Sequence, residues 1–184
     1  MIISITIPIF LKKMSKKICI LTDSLSSGGA EKVAAHMSIS LSTKGYNVFI
    51  VSMKNNIDYL YKGELYNFGV IKEEHSRLKS FFKFKKFFKE NKFDVIIDHR
   101  LRNNFFKEVI FSNYVFRNNR VIYCVHNYKL EYYFSFGKIP WLTSLHHVKD
   151  KMFVAVSEEI RKKLKQKLNI ESKTVYNFLS VNDF

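Results

Sequence analysis

Apolar residues recur along this chain in two rhythms, and the alternation between them predicts the architecture. Ile18–Asp23 is a short, mostly apolar run that ends in a Ser/Gly cluster, the pattern of a buried strand. From Ala30 the apolar positions change to Val33, Ala34, Met37 and Leu41, three and four apart, which predicts a helix with one buried face. Gly45 follows Lys44, as a terminating C′ glycine does. Asn47–Met53 predicts a second strand, and a third falls near Leu65–Phe68 within a stretch of weaker pattern. Ser76–Asn91 reads as a Phe/Lys helix, Val95–Asp98 as a strand, Asn103–Phe116 as a helix and Val121–Val125 as a strand. Residues 128–150 are aromatic and irregular, with a helix predicted over 139–149. Met152–Val156 is a strand, and Ser157 caps a helix that carries Ile160, Leu164 and Leu168. Glu158 and Glu159 stand in its first turn, where the macrodipole favours negative charge. Thr174–Asn177 is the last predicted strand.

Strands that alternate with helices imply βαβ units, and continuous apolar strands imply cover on both faces. The fold class expected is therefore α/β: a doubly wound, mainly parallel, Rossmann-like sheet with helices on both faces. Right-handed crossovers put every strand's C-terminus along one edge, where ligands of such sheets bind. That edge collects Asp23–Gly29, Asp98–Arg102, His126–Asn127 and Ser157 from four separate strand ends.

Composition narrows the class. A chain of 184 residues with 47% hydrophobic residues is no disordered segment, because it has the apolar surface to offset ordering entropy. Two cysteines make no disulfide framework, and 2 Pro with 6 Gly make no low-complexity chain. Cys19 and Cys124 fall on the first and fifth predicted strands and are expected as buried free thiols. Residues 1–15 read as an extension outside the core, since the apolar run Ile2–Leu11 falls short of the about 20 residues that cross a bilayer. Residues 16–178 form the domain.

The net charge of +15 suits nucleic acid or an anionic membrane surface. The lysines are spread over several helices and no nucleic-acid reader motif is present, so nucleic acid is not expected as a partner. On the Phe/Lys helix, Phe81 and Phe88 with Lys83 and Lys86 are expected to meet anionic lipid headgroups. The plainer alternative is a crossover helix with a solvated basic face.

The candidate chemistry lies on the same edge. Gly28 and Gly29 open the first helix, where backbone N–H groups approach a phosphate; the plainer alternative is a loop that needs positive φ. His126 ends a strand facing the crevice and can hydrogen-bond a sugar hydroxyl or polarise a leaving group, or else serve as a structural histidine. His99 stands between Asp98 and Arg100, which makes a polar network or a set of acceptor contacts. His146 and His147 fit a surface helix. No HExxH or CxxC spacing is present, so no metal site is expected. No G-x-S-x-G motif points to a nucleophile.

Residues 17–182 resemble the N-terminal domain of family-4 glycosyltransferases, which have the GT-B fold. The stretch Ser27-Gly28-Gly29-Ala30-Glu31-Lys32-Val33, then Leu41 and Gly45-Tyr46-Asn47-Val48, is similar to that family's opening strand-loop-helix-strand. Phe93-Asp94-Val95-Ile96-Ile97-Asp98-His99 resembles its strand ending in His, and Val125-His126-Asn127 the segment whose His faces acceptor and transferred sugar. Phe153-Val154-Ala155-Val156-Ser157 and Val175-Tyr176-Asn177 resemble the elements that lead to the interdomain linker. Ile97 stands where the family often has a second His, and Phe178 where Gly is frequent.

The resemblance implies a retaining transfer of sugar from a nucleotide-sugar donor to a glycan or lipid-linked acceptor, in envelope polysaccharide synthesis. It implies that Gly28 and Gly29 approach the donor, that His126 contacts the transferred sugar, and that Asp98, His99, Arg102 and Asn127 line the acceptor pocket. No cofactor beyond the donor substrate is implied. Residues 179–184 correspond to the start of the linker to a C-terminal donor-binding domain, and nothing in the chain corresponds to that domain, so inactivity of the chain alone is expected. The place expected is the cytoplasm, peripheral at the inner membrane face. Two alternatives carry the same pattern: a non-catalytic acceptor-binding adaptor that needs a separate donor-domain partner, and another GT-B enzyme such as a sugar-nucleotide epimerase.

Overall fold

The apolar run near the N-terminus becomes the centre of a seven-stranded, all-parallel sheet. The computed structural model describes residues 15–134 and 151–177. Strand β1 (Lys17–Thr22) is followed by α1 (Gly29–Thr43), β2 (Asn47–Ser52), β3 (Glu64–Asn67), α2 (Phe68–Glu74), α3 (Arg77–Asn91) and β4 (Val95–Asp98). Then come α4 (Phe105–Ile110), a π-helical turn (Phe111–Val115), β5 (Val121–Val125), a 3-10 turn (Leu130–Tyr132), β6 (Met152–Ala155), α5 (Glu158–Leu168) and β7 (Ser172–Thr174). The strand order is β3-β2-β1-β4-β5-β6-β7. Ile20 is in register with Ile50 on one side and Ile97 on the other. The expected α/β class with a parallel, Rossmann-like sheet is the class observed.

Strand alternation divides the core. Ile20, Val48 and Ile50 pack with Leu25 against Ala34 and Ala35 of α1. The small side chains let the helix backbone come close. Ser38 on the same helix is buried, donates to the Ala35 carbonyl (2.6 Å) and accepts from the Lys62 N–H (3.0 Å). On the opposite face Cys19, Leu21, Phe49, Val51 and Ile96 pack against Phe84, Phe88, Phe111, Val115 and Phe116. A third cluster joins Tyr123, Val125, Phe153 and Ala155 to Ile160 and Leu164 of α5. Cys19 and Cys124 are both free and buried, with β4 between their strands.

Several expectations change once the elements pack. The Phe/Lys helix turns Phe84 and Phe88 to the sheet, so Phe88, 1% exposed, is a core residue and not a lipid-facing one. Phe81 is half-buried against the same cluster. The apolar side chains left in solvent on α3 are Leu78 and Phe82, 73% and 62% exposed, with Lys83 and Lys86 exposed beside them. An i, i+4 pair took the core side, and the wheel alone could not say which pair. The helix predicted over Asn103–Phe116 divides into α4 and the π turn, in which Phe116 N–H reaches the Phe111 carbonyl (2.8 Å). The wider turn brings Phe111, Val115 and Phe116 together onto the sheet. The last strand runs over Ser172–Thr174 instead of Thr174–Asn177, because its register is set by pairing of Ala155 with Thr174. Helix α2 fills the stretch of weak pattern, and the Asn67 side chain caps it by accepting from Val70 N–H (3.2 Å). The helix predicted over 139–149, with His146 and His147, lies outside the described residues, as do residues 1–14 and 178–184. No helix among the described residues is long and apolar enough to cross a membrane.

Candidate functional site

The C-terminal ends of all seven strands share one edge, and chain direction across the sheet reverses between β1 and β4. This is the switch point, the place where loops of such sheets diverge and ligands bind. The loops after β1 and β4 are tied across it by Leu101 N–H, which donates to the Asp23 carboxylate (2.7 Å).

The loop after β1 opens α1. Neither Gly28 nor Gly29 has positive φ; the left-handed residue is Ser27, with φ +58°. Backbone conformation therefore does not require these glycines, and what they provide is space. A Cβ on Gly29 meets nothing within 4 Å, whereas one on Gly28 runs into the Glu31 carboxylate. Helix α1 has no side-chain cap at its N-terminus. Its first N–H groups, with the positive end of the dipole, remain open to an acceptor, and the Glu31 carboxylate already stands in that field.

The ends of β4 and β5 bring two histidines together. His99 N–H donates to the Leu21 carbonyl (2.8 Å), so the ladder continues one residue past β4. His126 N–H donates to the Tyr133 hydroxyl oxygen (3.0 Å), which fixes the residue just past β5. His99 Nδ1 and His126 Nε2 lie 2.8 Å apart, and the rings stack with centroids 5.0 Å apart. Burial, with His126 facing it, pushes the His99 imidazole down to about 3. Burial, helped by the Arg102 guanidinium, pushes His126 down to about 4.

Both rings are therefore neutral at pH 7, with one N–H and one lone pair each. Their shared hydrogen bond consumes one N–H and one lone pair. Whichever tautomers are present, the pair keeps one N–H and one lone pair unmet, on His99 Nε2 and His126 Nδ1. Both of these atoms are buried without a partner. A hydroxyl group, which both donates and accepts, complements such a pair.

A charged layer supports them. The Asp98 carboxylate, fully buried, accepts from Arg100 N–H (3.0 Å), Nε (3.0 Å) and Nη2 (2.8 Å). Arg100 also donates to Glu108 Oε2 (2.9 Å) and stacks on Phe111, 5.0 Å from the ring centre. Arg102 donates to the carbonyls of Asp98 (3.2 Å), Arg100 (2.9 Å) and Cys124 (3.0 Å). Burial works to raise the Asp98 carboxyl, and Arg100 and Arg102 outweigh it, holding the group below its ordinary value.

Of the residues expected on this edge, the structure brings His99 and His126 into contact. It places Asp98 and Arg102 beneath them, with their side chains committed to internal partners. Asn127 is exposed, and its side-chain oxygen accepts from Lys129 N–H (2.8 Å). Ser157 caps α5, accepting from Ile160 N–H (3.3 Å). Residues that the sequence reading passed over are Glu108, which closes the ion network, Tyr133, which holds His126, and Cys124, which adjoins the histidine pair. Period-two alternation was the available signal for Cys124, since it sets Cys124 and His126 on one face of the same strand.

Comparison with known proteins agrees with this frame. No curated protein matches the chain. A crystal structure of a glycosyltransferase from Rickettsia africae ESF-5 is similar over 89% of this chain, at 14% identity and a TM-score of 0.50. The chain spans 43% of that protein's length. The family model for glycosyltransferase family 4 matches residues 27–182, from the loop before α1 to beyond β7, a span that contains Gly28, His99 and His126. On that match, the chain belongs to glycosyltransferase family 4.

Proposed function

We propose that this chain is the acceptor-binding half of a retaining glycosyltransferase. It serves transfer of a sugar from a nucleotide-sugar donor to a glycan or lipid-linked acceptor in envelope polysaccharide synthesis at the cytoplasmic membrane face. The observation that carries the reading is the His99–His126 pair, with one donor and one acceptor unmet, on the switch-point edge of a family-4 chain.

In this reading His126 hydrogen-bonds the transferred sugar. His99, which holds the His126 ring at 2.8 Å, and exposed Asn127 line the acceptor side. The first N–H groups of α1 face the donor phosphate, with open space beside Gly29, and the Glu31 carboxylate beside Gly28 turns aside to admit it. Asp98 and Arg102 act from below as positioning residues, since a strand end pinned by charge-assisted hydrogen bonds keeps both imidazoles in place. The departing phosphate accepts the acceptor's proton, so the chain supplies orientation and hydrogen bonds and no strong base. No metal is assigned to the transfer.

Exposed apolar side chains support contact with a membrane. Leu78 and Phe82, one turn apart on α3, stand in solvent on a helix that also exposes Lys79, Lys83 and Lys86. Such a face suits shallow insertion among anionic headgroups. Leu78→Ser with Phe82→Ser is expected to abolish sedimentation of the chain with phosphatidylglycerol vesicles; undiminished sedimentation removes the membrane from this reading.

The chain spans 43% of the length of the similar glycosyltransferase, and in this reading a donor-binding half completes the enzyme. The test is transfer of label from a panel of nucleotide sugars into a membrane lipid extract, by the 184-residue chain alone and together with a donor-binding domain. The chain alone is expected to transfer nothing. In the joined enzyme His126→Ala is expected to lower kcat by about a hundredfold, the scale for one lost transition-state hydrogen bond. Full activity of His126→Ala, or turnover by the chain alone, overturns the assignment.

A further inference from the structure

We propose that His99, Cys124 and His126 form a binding site for one ion of the zinc class, a borderline metal that takes imidazole and thiolate ligands. The binding does not rest on the functional reading above; only its consequence, withdrawal of His126 from the sugar, does.

Topology builds the site from residues that no sequence spacing joins. Strands β4 and β5 are parallel, with Asp98 beside Tyr123, so the next pair along the ladder sets His99 beside Cys124. Alternation along β5 then sets Cys124 and His126 on the same face. One ring nitrogen of each histidine and the Cys124 sulfur all lie within 4.8 Å of one another. Ligands of a tetrahedral zinc ion, at about 2.0–2.1 Å for nitrogen and about 2.3 Å for sulfur, stand about 3.3–3.6 Å apart. Small side-chain rotations cover that difference, and the backbone need not move.

The chemistry of the three donors fits the ion. The two imidazoles bind through ring lone pairs, and the Cys124 thiol releases its proton when the ion binds. His99 is 3% exposed and its Nε2 has no partner, nor has His126 Nδ1, so the cluster is not a closed hydrogen-bond network. His126 is only half-buried, which gives an ion a way in from the strand edge. Arg102 pairs with Asp98, which pairs with Arg100, which pairs in turn with Glu108, a set of two cations and two anions. Three protein ligands leave a fourth position for water or a ligand from the crevice.

The test uses the tag-free chain. Zn2+ binding is measured in competition with a chromophoric chelator, and Co2+ is used as a spectroscopic substitute. One equivalent of Zn2+ is expected, and Co2+ is expected to show a thiolate-to-cobalt charge-transfer band in the near ultraviolet. Cys124→Ser and His126→Gln are each expected to weaken Zn2+ by at least about tenfold, since even outer-shell changes cost that much. Cys19→Ser is expected to change nothing. If Cys124→Ser does not fold, the band in the unaltered chain and in Cys19→Ser decides the thiolate ligand. A cobalt complex without the band, loss of the band in Cys19→Ser, or an unchanged zinc affinity in His126→Gln overturns the proposal.

Discussion

Asp98 and His99 are neighbours in sequence, are almost equally buried, and lie on opposite faces of one strand end, yet they are opposite kinds of residue. Asp98 has its carboxylate met by three donors of Arg100, and Arg100 is met in turn by Glu108. His99 has one nitrogen shared with His126 and the other facing no partner. Buried polar groups in folded proteins are nearly all satisfied, so a satisfied group explains itself as structure and an unsatisfied one asks for a ligand. The difference teaches where in this edge to look for function: in the pair that is incomplete, supported by the network that is complete.

The sharpest way to break that comparison is to open the complete side. Asp98→Asn leaves Arg100 and Arg102 with an uncompensated buried charge, and a loss of about 3–5 kcal/mol is expected from the cost of breaking buried pairs. Urea unfolding measures it, and a loss below about 1 kcal/mol would make the network dispensable. On the incomplete side, His99→Gln is expected to change stability by no more than about 1 kcal/mol, because the glutamine amide can take over the hydrogen bond to His126 Nε2. In the joined enzyme the same change is expected to lower kcat and leave the donor KM unchanged, a split that a purely structural role does not produce.

The same contrast recurs on α3. Phe88 is enclosed by Phe84, Phe93 and Phe116, with ring centres 4.9–5.6 Å away. Phe88→Ala is expected to cost about 3–5 kcal/mol, as for other buried phenylalanines. Phe82→Ala, six residues earlier on the same helix, is expected to stay within about 0.5 kcal/mol. Equal losses at the two positions, measured by thermal unfolding, would mean that the exposed face is covered in solution.

The smallest effect belongs to a satisfied group in solvent. Arg161 and Thr174 hydrogen-bond Glu158 and pull its carboxyl from 4.5 down to about 2. A lowered carboxyl favours the fold above its unfolded value and loses that contribution as pH falls from about 4.5 toward 2. Glu158→Gln is therefore expected to flatten slightly the acid limb of the stability profile and leave pH 7 stability almost unchanged, since screening by water keeps such pairs weak.

Much of this was legible in the chain. The strands β1, β2, β4, β5 and β6 appear as apolar runs because both of their faces are buried, and α1 and α5 appear because one face is. The edge on which Gly28, His99 and His126 meet follows from parallel topology. Less legible was the face that α3 buries. Its phenylalanines surround the helix, and only the shape of the sheet chose Phe84 and Phe88 over Phe82. Helix α2 was hidden because a seven-residue element has too few turns to display a period. The side chains of Asp98 and Arg102 read as crevice contacts because a charged residue at a strand end looks like one until its internal partners, Arg100 for Asp98 and three backbone carbonyls for Arg102, are seen to reach it.

By itself the sequence determined the fold class, the edge that carries the site and the identity of the two histidines, because periodicity and turn chemistry are local properties of the chain. Only the tertiary structure decided which polar side chains are satisfied and which are not. Satisfaction depends on residues far apart in sequence, such as His99 and His126 or Arg100 and Glu108, whose distances are set by packing and by strand register. The same long-range register brought His99 to Cys124 and His126, which alternation along one strand already set on one face.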